Sequence, residues 1–278
     1  MNSRSWGVTV ALVNDTFREA FSRKIFWGFL GCSTLLILFF LFILRVDVVQ
    51  GALATMSLFG NTSRAQDVQK LVRQVHAAIA AFLFTAGMFL AIFASAGLIP
   101  SVFEPGRIEL LLSKPIERHQ ILLGRYIGNL LVIAANVCYL VPAVWVILGL
   151  KTGIWTYGFL WSSAFTIFVF AILLTVVLLI GVLWESAAIA TMVSFGLILV
   201  SPILAQKSLL ERLLSSEISR NVVRVLYYVL PKVFDLGRIT RELVLGNSIT
   251  SWMPIWSSAL FGFVIFSASL IAFSRRDY

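Results

Sequence analysis

The sequence predicts an all-α, polytopic membrane protein with six transmembrane helices, an amphipathic helix ahead of the first of them and a short helix in a charged loop. The 278 residues are 59% hydrophobic, with a mean hydropathy of +0.94. Ordinary soluble domains are about half apolar and about a quarter charged. Six runs are long enough to cross about 30 Å of hydrocarbon as helices of about 20 residues. The charged residues, only 13% of the chain, lie almost entirely between those runs.

The fourth and fifth apolar runs need a separate argument, because only Trp184, Glu185 and Ser186 divide them. Together they cover 48 residues, which is too long for one crossing. We therefore predict a tight hairpin centred on Glu185, helped by Gly181. The six predicted spans are about 25–44, 78–99, 126–150, 158–183, 186–205 and 255–273.

Residues 1–24 are predicted to form an amphipathic helix. Trp6, Val10, Val13, Phe17 and Phe21 recur at steps of three or four, which places them in one stripe. Such a helix fits the cytoplasmic interface of a membrane, with its apolar stripe against the acyl chains. A simple soluble extension of the first span remains the alternative.

The loop at residues 100–125 is predicted to contain a short helix with an apolar face. Pro105 is tolerated in a first helical turn. Ile108, Leu111 and Leu112 follow at helical spacing, and Pro115 ends the helix by restricting the residue before it. An apolar face on a charged loop is typical of a docking helix. The alternative is a loop that lies on lipid headgroups.

The long segment at residues 206–254 is predicted to contain an amphipathic helix. Apolar residues recur at helical steps from Leu210 to Leu230, with Arg212, Arg220 and Arg224 on other faces. Pro231 then ends the pattern. We predict one helix that lies in or dips into the membrane interface.

The distribution of basic residues predicts that both termini are cytoplasmic. Arg23 and Lys24 abut the first span, and Arg275 and Arg276 abut the last. Charges close to span ends have the greatest influence, and the first helix usually dominates. With this orientation ten Lys and Arg residues lie inside and twelve lie outside, so the raw count of basic residues favours the opposite orientation. Parity then places residues 100–125 inside and 206–254 outside.

The sequence lacks the residues that several classes of protein need for their function. The glycine-containing stretch from Gly28 to Thr34 has no lysine and lies within a predicted span, so it is not a phosphate-binding loop. The six spans contain no Asp, Glu, Lys or Arg, which disfavours an ion-coupled secondary transporter. A membrane-embedded enzyme is also disfavoured, because no catalytic or metal-ligating set is present in the spans. We predict no catalytic residue, no metal site and no nucleic-acid partner, and keep those two classes as alternatives.

Two asparagines give the third span a polar strip. Asn129 and Asn136 are seven residues apart, so they lie two turns apart on one helix face. Hydrogen bonds between helices explain such residues most simply. A pathway or a partner interface is the functional alternative.

The charged loop and its surroundings resemble the ABC-2 type transporter permeases, and among them the permeases of nitrous-oxide-reductase-maturation ABC transporters. The resemblance extends to the N-terminal helix, the six spans and the YYVLP segment that begins at Tyr227. The matching loop residues are Glu104, Gly106, Glu109, Leu111, Leu112, Pro115, Arg118, Leu122, Gly124 and Arg125.

The resemblance implies a non-catalytic transmembrane subunit that couples ATP hydrolysis by separate subunits to export or to mechanical transmission. It also implies a cytoplasmic coupling helix that docks on the ATPase through Glu104, Gly106, Arg107, Ile108, Glu109, Leu111, Leu112, Pro115 and Arg118. ATP and Mg²⁺ would be bound by that ATPase, and no cofactor by this chain. Tyr227, Tyr228 and Pro231 would belong to an outer gate formed by short re-entrant helices.

The same resemblance sets the expected organisation and surroundings of the chain. A second permease copy, in a homodimer or a heterodimer, membrane lipid and a periplasmic or extracellular accessory protein are the other expected partners. The expected location is the cytoplasmic (inner) membrane of a bacterium or archaeon. Residues 1–278 would form one transmembrane domain, divided into 1–24, 25–99, 100–125, 126–205, 206–254 and 255–278.

Overall fold

The computed structural model describes residues 3–22, 24–43, 64–97, 118–214 and 216–275. Within these ranges the secondary structure is helical throughout and contains no strand, which confirms the predicted all-α class. The helices are α1 (Ser3–Ser22), α2 (Lys24–Ile43), α3 (Arg64–Ala96), α4 (Arg118–Thr152), α5 (Gly158–Trp184), α6 (Ala187–Ala205), α7 (Lys207–Leu213), α8 (Glu217–Val229), α9 (Val233–Leu245) and α10 (Met253–Ser274).

Five of these helices are long and apolar enough to cross a membrane: α3 from Lys70, α4, α5, α6 and α10. A sixth crossing is obtained if the end of α1 and most of α2, which meet at an angle of 70°, are counted as one broken span. All six predicted spans therefore coincide with helices, and a multi-pass membrane protein is supported. The count of six crossings stays a prediction, as does the interfacial position of α1.

Helix α5 is the centre of the bundle. It carries no charged residue, and a helix that is hydrophobic all round is stable only when it is surrounded. Helices α3, α4, α6, α9 and α10 pack around it. Its buried hydroxyls are satisfied within the helix, as where Thr175 donates to the backbone oxygen of Ile172 at 2.7 Å. This arrangement leaves no unsatisfied hydroxyl on Thr175 in the apolar core.

The break predicted at Glu185 between two separate candidate spans is confirmed, and its hairpin geometry stays a prediction. Helix α5 ends there because Glu185 adopts a left-handed conformation with φ of 53°, and its N–H bonds the oxygen of Gly181 at 3.0 Å. Ser186 then caps α6 by accepting a hydrogen bond from the N–H of Ile189. Serine is a favoured N-cap because its oxygen satisfies a free N–H of the first turn.

The segment after α6 differs from the prediction of one amphipathic helix. The predicted helix is divided into α7 and α8, because Leu214 and Ser216 are extended and Ser216 is the N-cap of α8. Helix α9 was not predicted as a separate buried element. It packs against α3, α5 and α6. Its end lies so close to α5 that a Cβ on Gly158 would be 2.0 Å from the oxygen of Leu243.

Candidate functional site

The start of α4, which directly follows the predicted docking loop, packs closely against α1. Gly124 and Gly128 lie one turn apart on the contact face. A Cβ at either position would come within 2.6 Å of the Cβ of Leu12 or Thr16 respectively. Because glycine has no Cβ, the two helices approach more closely than larger side chains would allow. The buried face of α1 is therefore a line of mostly small residues, Leu12, Thr16 and Ala20.

A buried ion pair lies between the same two helices. The guanidinium of Arg125 donates to Asp15 at 3.0 Å and also to the carboxylate of Glu19. The Arg125 side chain is only 2% exposed, and Glu19 is 10% exposed, whereas Asp15 is 53% exposed. A charge this deeply buried is tolerated only because it is paired. We call Asp15, Glu19, Gly124, Arg125 and Gly128 the α1–α4 junction.

The α1–α4 junction was only partly predictable. Arg125 was assigned to the loop at residues 100–125, and Asp15 and Glu19 lie outside the apolar stripe that predicted the amphipathic helix. Asp15 and Glu19 are about 110 residues from Arg125 in the chain, so a single sequence does not show that the three side chains pair. The acid pair Asp15 and Glu19, at i and i+4, was the available signal for a cation on a neighbouring helix.

Most of the predicted ATPase-docking residues lie outside the described residues. These are Glu104, Gly106, Arg107, Ile108, Glu109, Leu111, Leu112 and Pro115. Arg118 is described, and it begins α4. Its guanidinium makes a long contact of 3.5 Å to the backbone oxygen of Ser274 at the end of α10. The start of α4 and the end of α10 therefore lie together, as expected if both are at one membrane surface.

The two asparagines of α4 are inside the protein. Asn129 is fully buried and Asn136 is 3% exposed. Ser33 of α2 donates to the side-chain oxygen of Asn136 at 2.7 Å, which is a hydrogen bond between helices. A cavity of about 20 Å³ beside Asn136 has room for about one water molecule. Asn136 therefore joins α4 to α2, whereas neither side-chain polar atom of Asn129 has a hydrogen-bond partner among the described residues, and a pathway along the strip stays a hypothesis.

The predicted outer-gate residues form part of a cluster of charges and rings. The ammonium of Lys207 lies 4.2 Å from the ring centre of Tyr227 and 5.0 Å from that of Tyr228. The ammonium of Lys232 lies 4.8 Å from the Tyr227 ring. The Tyr227 hydroxyl donates to Asp235 at 2.9 Å. Cation–π contacts at these distances are attractive, and more so where water is excluded.

This cluster connects α8 and α9 to α10. Lys232 is 3% exposed, and its backbone N–H and its ammonium donate to the hydroxyls of Ser258 and Ser257, each at 2.9 Å. Burial lowers the pKa of Lys232. Burial, reinforced by the negative charge of Asp235, raises the pKa of Tyr227 to about 12. Pro231 is buried beside them. Its role, and that of the tyrosines, as a gate stays a prediction.

Comparison with protein families places this geometry in context. A family model described as "ABC-2 family transporter protein" matches residues 10–278, which is nearly the whole chain. The chain belongs to the ABC-2 transporter family. No curated protein matches it.

Membership of the ABC-2 transporter family confirms the predicted class of protein. It makes the chain a membrane component of an ABC transporter that is typically non-catalytic itself, and it implies an ABC ATPase partner in general. The candidate spans agree with a multi-pass membrane protein. The more specific similarity to nitrous-oxide-reductase-maturation permeases stays a prediction.

Proposed function

We propose that this ABC-2 family chain is the permease subunit that couples ATP hydrolysis by separate nucleotide-binding subunits to movement of the membrane helices. The movement serves export or mechanical transmission across the cytoplasmic membrane. The observation that supports this function most is the α1–α4 junction. It fixes the first turns of α4, immediately after the predicted docking loop, to a second helix through a buried arginine and two carboxylates.

A fixed junction suits the transmission of movement. If the start of α4 were free, a push on the loop would be absorbed by bending or fraying of the first turns. With Arg125 held by Glu19 and Asp15, α1 and the start of α4 move together. Helix α4 packs along α5 and α2, so its displacement is passed to the centre of the bundle. Packed helices transmit such shifts because their interfaces deform little.

The docking surface in this scheme is the coupling helix in the loop. Its apolar face, Ile108, Leu111 and Leu112, enters a cleft of the ATPase, with Glu104 and Glu109 at the rim. ATP and Mg²⁺ are bound by the ATPase. A second permease copy completes the transmembrane part as a homodimer or a heterodimer, and both termini lie in the cytoplasm.

The more specific resemblance, to the permeases of nitrous-oxide-reductase-maturation transporters, suggests what the complex does. If the chain serves a maturation pathway of the nitrous-oxide-reductase type, a periplasmic or extracellular accessory protein receives either a cargo or a mechanical signal. The location is then the inner membrane of a bacterium or archaeon.

Co-purification tests the proposed function. The chain is tagged, extracted in mild detergent from its native membrane and analysed by mass spectrometry. We expect an ABC ATPase at a ratio of one per permease chain, and we expect its hydrolysis rate to change when the permease is present. A chain that purifies without an ATPase, and that alone moves solutes in liposomes under a proton or sodium gradient, would support the ion-coupled alternative instead.

A further inference from the structure

A groove lies between α3, α6 and α9, and its walls are largely apolar. Its volume is about 280 Å³. This is close to the lower end of the volumes of small-molecule sites, which begin at roughly 300 Å³. The walls include Phe84 and Met88 of α3, Ile198 and Pro202 of α6, and Val233 of α9.

Two guanidinium groups line the same groove. Arg238 and Arg241 are three residues apart and therefore lie on one face of α9. Their side chains are 63% and 52% exposed. Arg238 gives one contact to Asp235 at 3.1 Å, and Arg241 lies 4.0 Å from Glu242. Five N–H donors per guanidinium leave most donors available at both side chains.

The position of α9 makes these exposed charges informative. The helix packs against three candidate spans, α3, α5 and α6. Its first backbone N–H groups include that of Phe234, which donates to Ser201 within α6 at 2.9 Å. An exposed arginine beside membrane-spanning helices is costly unless it meets water or an anion. Apolar walls with cations at one side match an amphiphile that has an acyl chain and a negative headgroup.

We propose that the groove binds a membrane lipid whose phosphate-containing headgroup has a net negative charge. One acyl chain lies against Phe84, Met88 and Ile198, and the phosphate contacts Arg238 and Arg241. Planar guanidinium groups bind phosphate oxygens in pairs, which gives both affinity and orientation. Gly237 keeps the groove open between its apolar wall and its arginine side, because a Cβ at this position would lie 3.0 Å from the Phe84 ring.

Lipid binding at this groove requires only that the chain lies in a membrane. It does not depend on coupling to an ATPase, so it is tested on the intact chain alone. The chain is purified in detergent, exchanged into micelles with equal amounts of dioleoyl phosphatidylglycerol and dioleoyl phosphatidylcholine, and analysed by native mass spectrometry. Because the two lipids share their acyl chains and their phosphate, any preference between them reports the net charge of the headgroup.

We expect phosphatidylglycerol to be retained about fivefold over phosphatidylcholine, the effect of about one basic side chain near an anionic lipid. The double variant Arg238→Gln/Arg241→Gln removes both guanidinium charges and should abolish the preference. The double lysine variant keeps the charges and should restore it. Arg212→Gln removes an exposed arginine of α7, outside the groove, and should leave the preference unchanged.

Thr85→Phe tests the acyl-chain part. Thr85 lines the groove and is exposed, so a phenylalanine there fills the groove without entering the core. We expect it to reduce retention of both lipids. Equal retention of the two lipids by the parent chain, or a preference that survives the double glutamine variant, would overturn the proposal. So would a dimeric parent that Thr85→Phe converts to a monomer with lipid retention unchanged, because the groove would then hold a second copy.

Discussion

Replacing Arg125 by methionine should detach α1 from α4 without unfolding the bundle. Methionine is about as long as the aliphatic part of the arginine side chain and removes the charge, so the Glu19 carboxylate stays in a site that is 10% exposed and loses its partner. Breaking a buried ion pair by removing one partner costs about 3–5 kcal/mol. We take the lower value of about 3 kcal/mol, because part of Glu19 reaches solvent.

The assay measures the undocking of α1 directly. Thr16 faces α4 and is fully buried. A cysteine at Thr16, in a chain whose Cys32 and Cys138 are replaced by alanine, reacts with a soluble thiol reagent only when α1 detaches. A loss of about 3 kcal/mol corresponds to an increase in labelling rate of roughly a hundredfold.

Two further variants calibrate this result. Asp15→Asn removes a partner that is 53% exposed, and exposed ion pairs contribute below about 1 kcal/mol, so the rate should rise less than about fivefold. Glu19→Met combined with Arg125→Met replaces the pair by two apolar side chains, and the rate should return towards that of the parent. A parent-like rate for Arg125→Met alone, or an Asp15→Asn effect as large as that of Arg125→Met, would refute the reasoning.

Three further predictions concern other parts of the chain. A cysteine at Ser216, between α7 and α8, should react with an impermeant thiol reagent added outside intact cells, whereas one at Ser274 should react only after the cytoplasmic membrane is opened; the reverse pattern would invert the topology. Asn136→Ala should lower stability by about 1 kcal/mol through loss of the hydrogen bond from Ser33, and Ser33→Ala should add little to it in a double-mutant cycle. Glu185→Gly should raise thermal stability by up to about 1 kcal/mol, because glycine adopts the φ of 53° without strain, and a fall in melting temperature would contradict this.

The apolar helices were predictable because hydrocarbon thickness sets their length and charge interrupts them. Glu185 illustrates this: it is the only charged residue between two runs, and it marks the turn between α5 and α6. Helix α9 was not predicted because its burial depends on neighbours that are distant in sequence. Its local signals were nevertheless present. Pro231 precedes its start, and Gly246, with φ of 89°, provides the left-handed residue that ends it.

The packing face of α1 could not be read from hydrophobicity. The apolar stripe that includes Val13, Phe17 and Phe21 predicted one face, and Phe21 is 48% exposed in the folded chain. The face against α4 instead contains Thr16 and Ala20, because close approach to Gly128 requires small side chains. Hydrophobic patterning does not separate a lipid-facing stripe from a protein-facing one, since lipid tails are as apolar as leucine.

Charge reversal in the coupling helix tests the central claim, that this chain transmits the work of an ATPase through residues 100–125. Glu104→Lys and Glu109→Lys are compared with Glu217→Lys, which makes the same charge change at the start of α8, on the other side of the membrane in the expected topology. The amount of ATPase that co-purifies with each membrane-inserted variant is measured, together with the hydrolysis rate of the complex. We predict that both loop variants lose ATPase association or coupled hydrolysis while Glu217→Lys keeps them. Full assembly and full coupling in both loop variants would contradict the account.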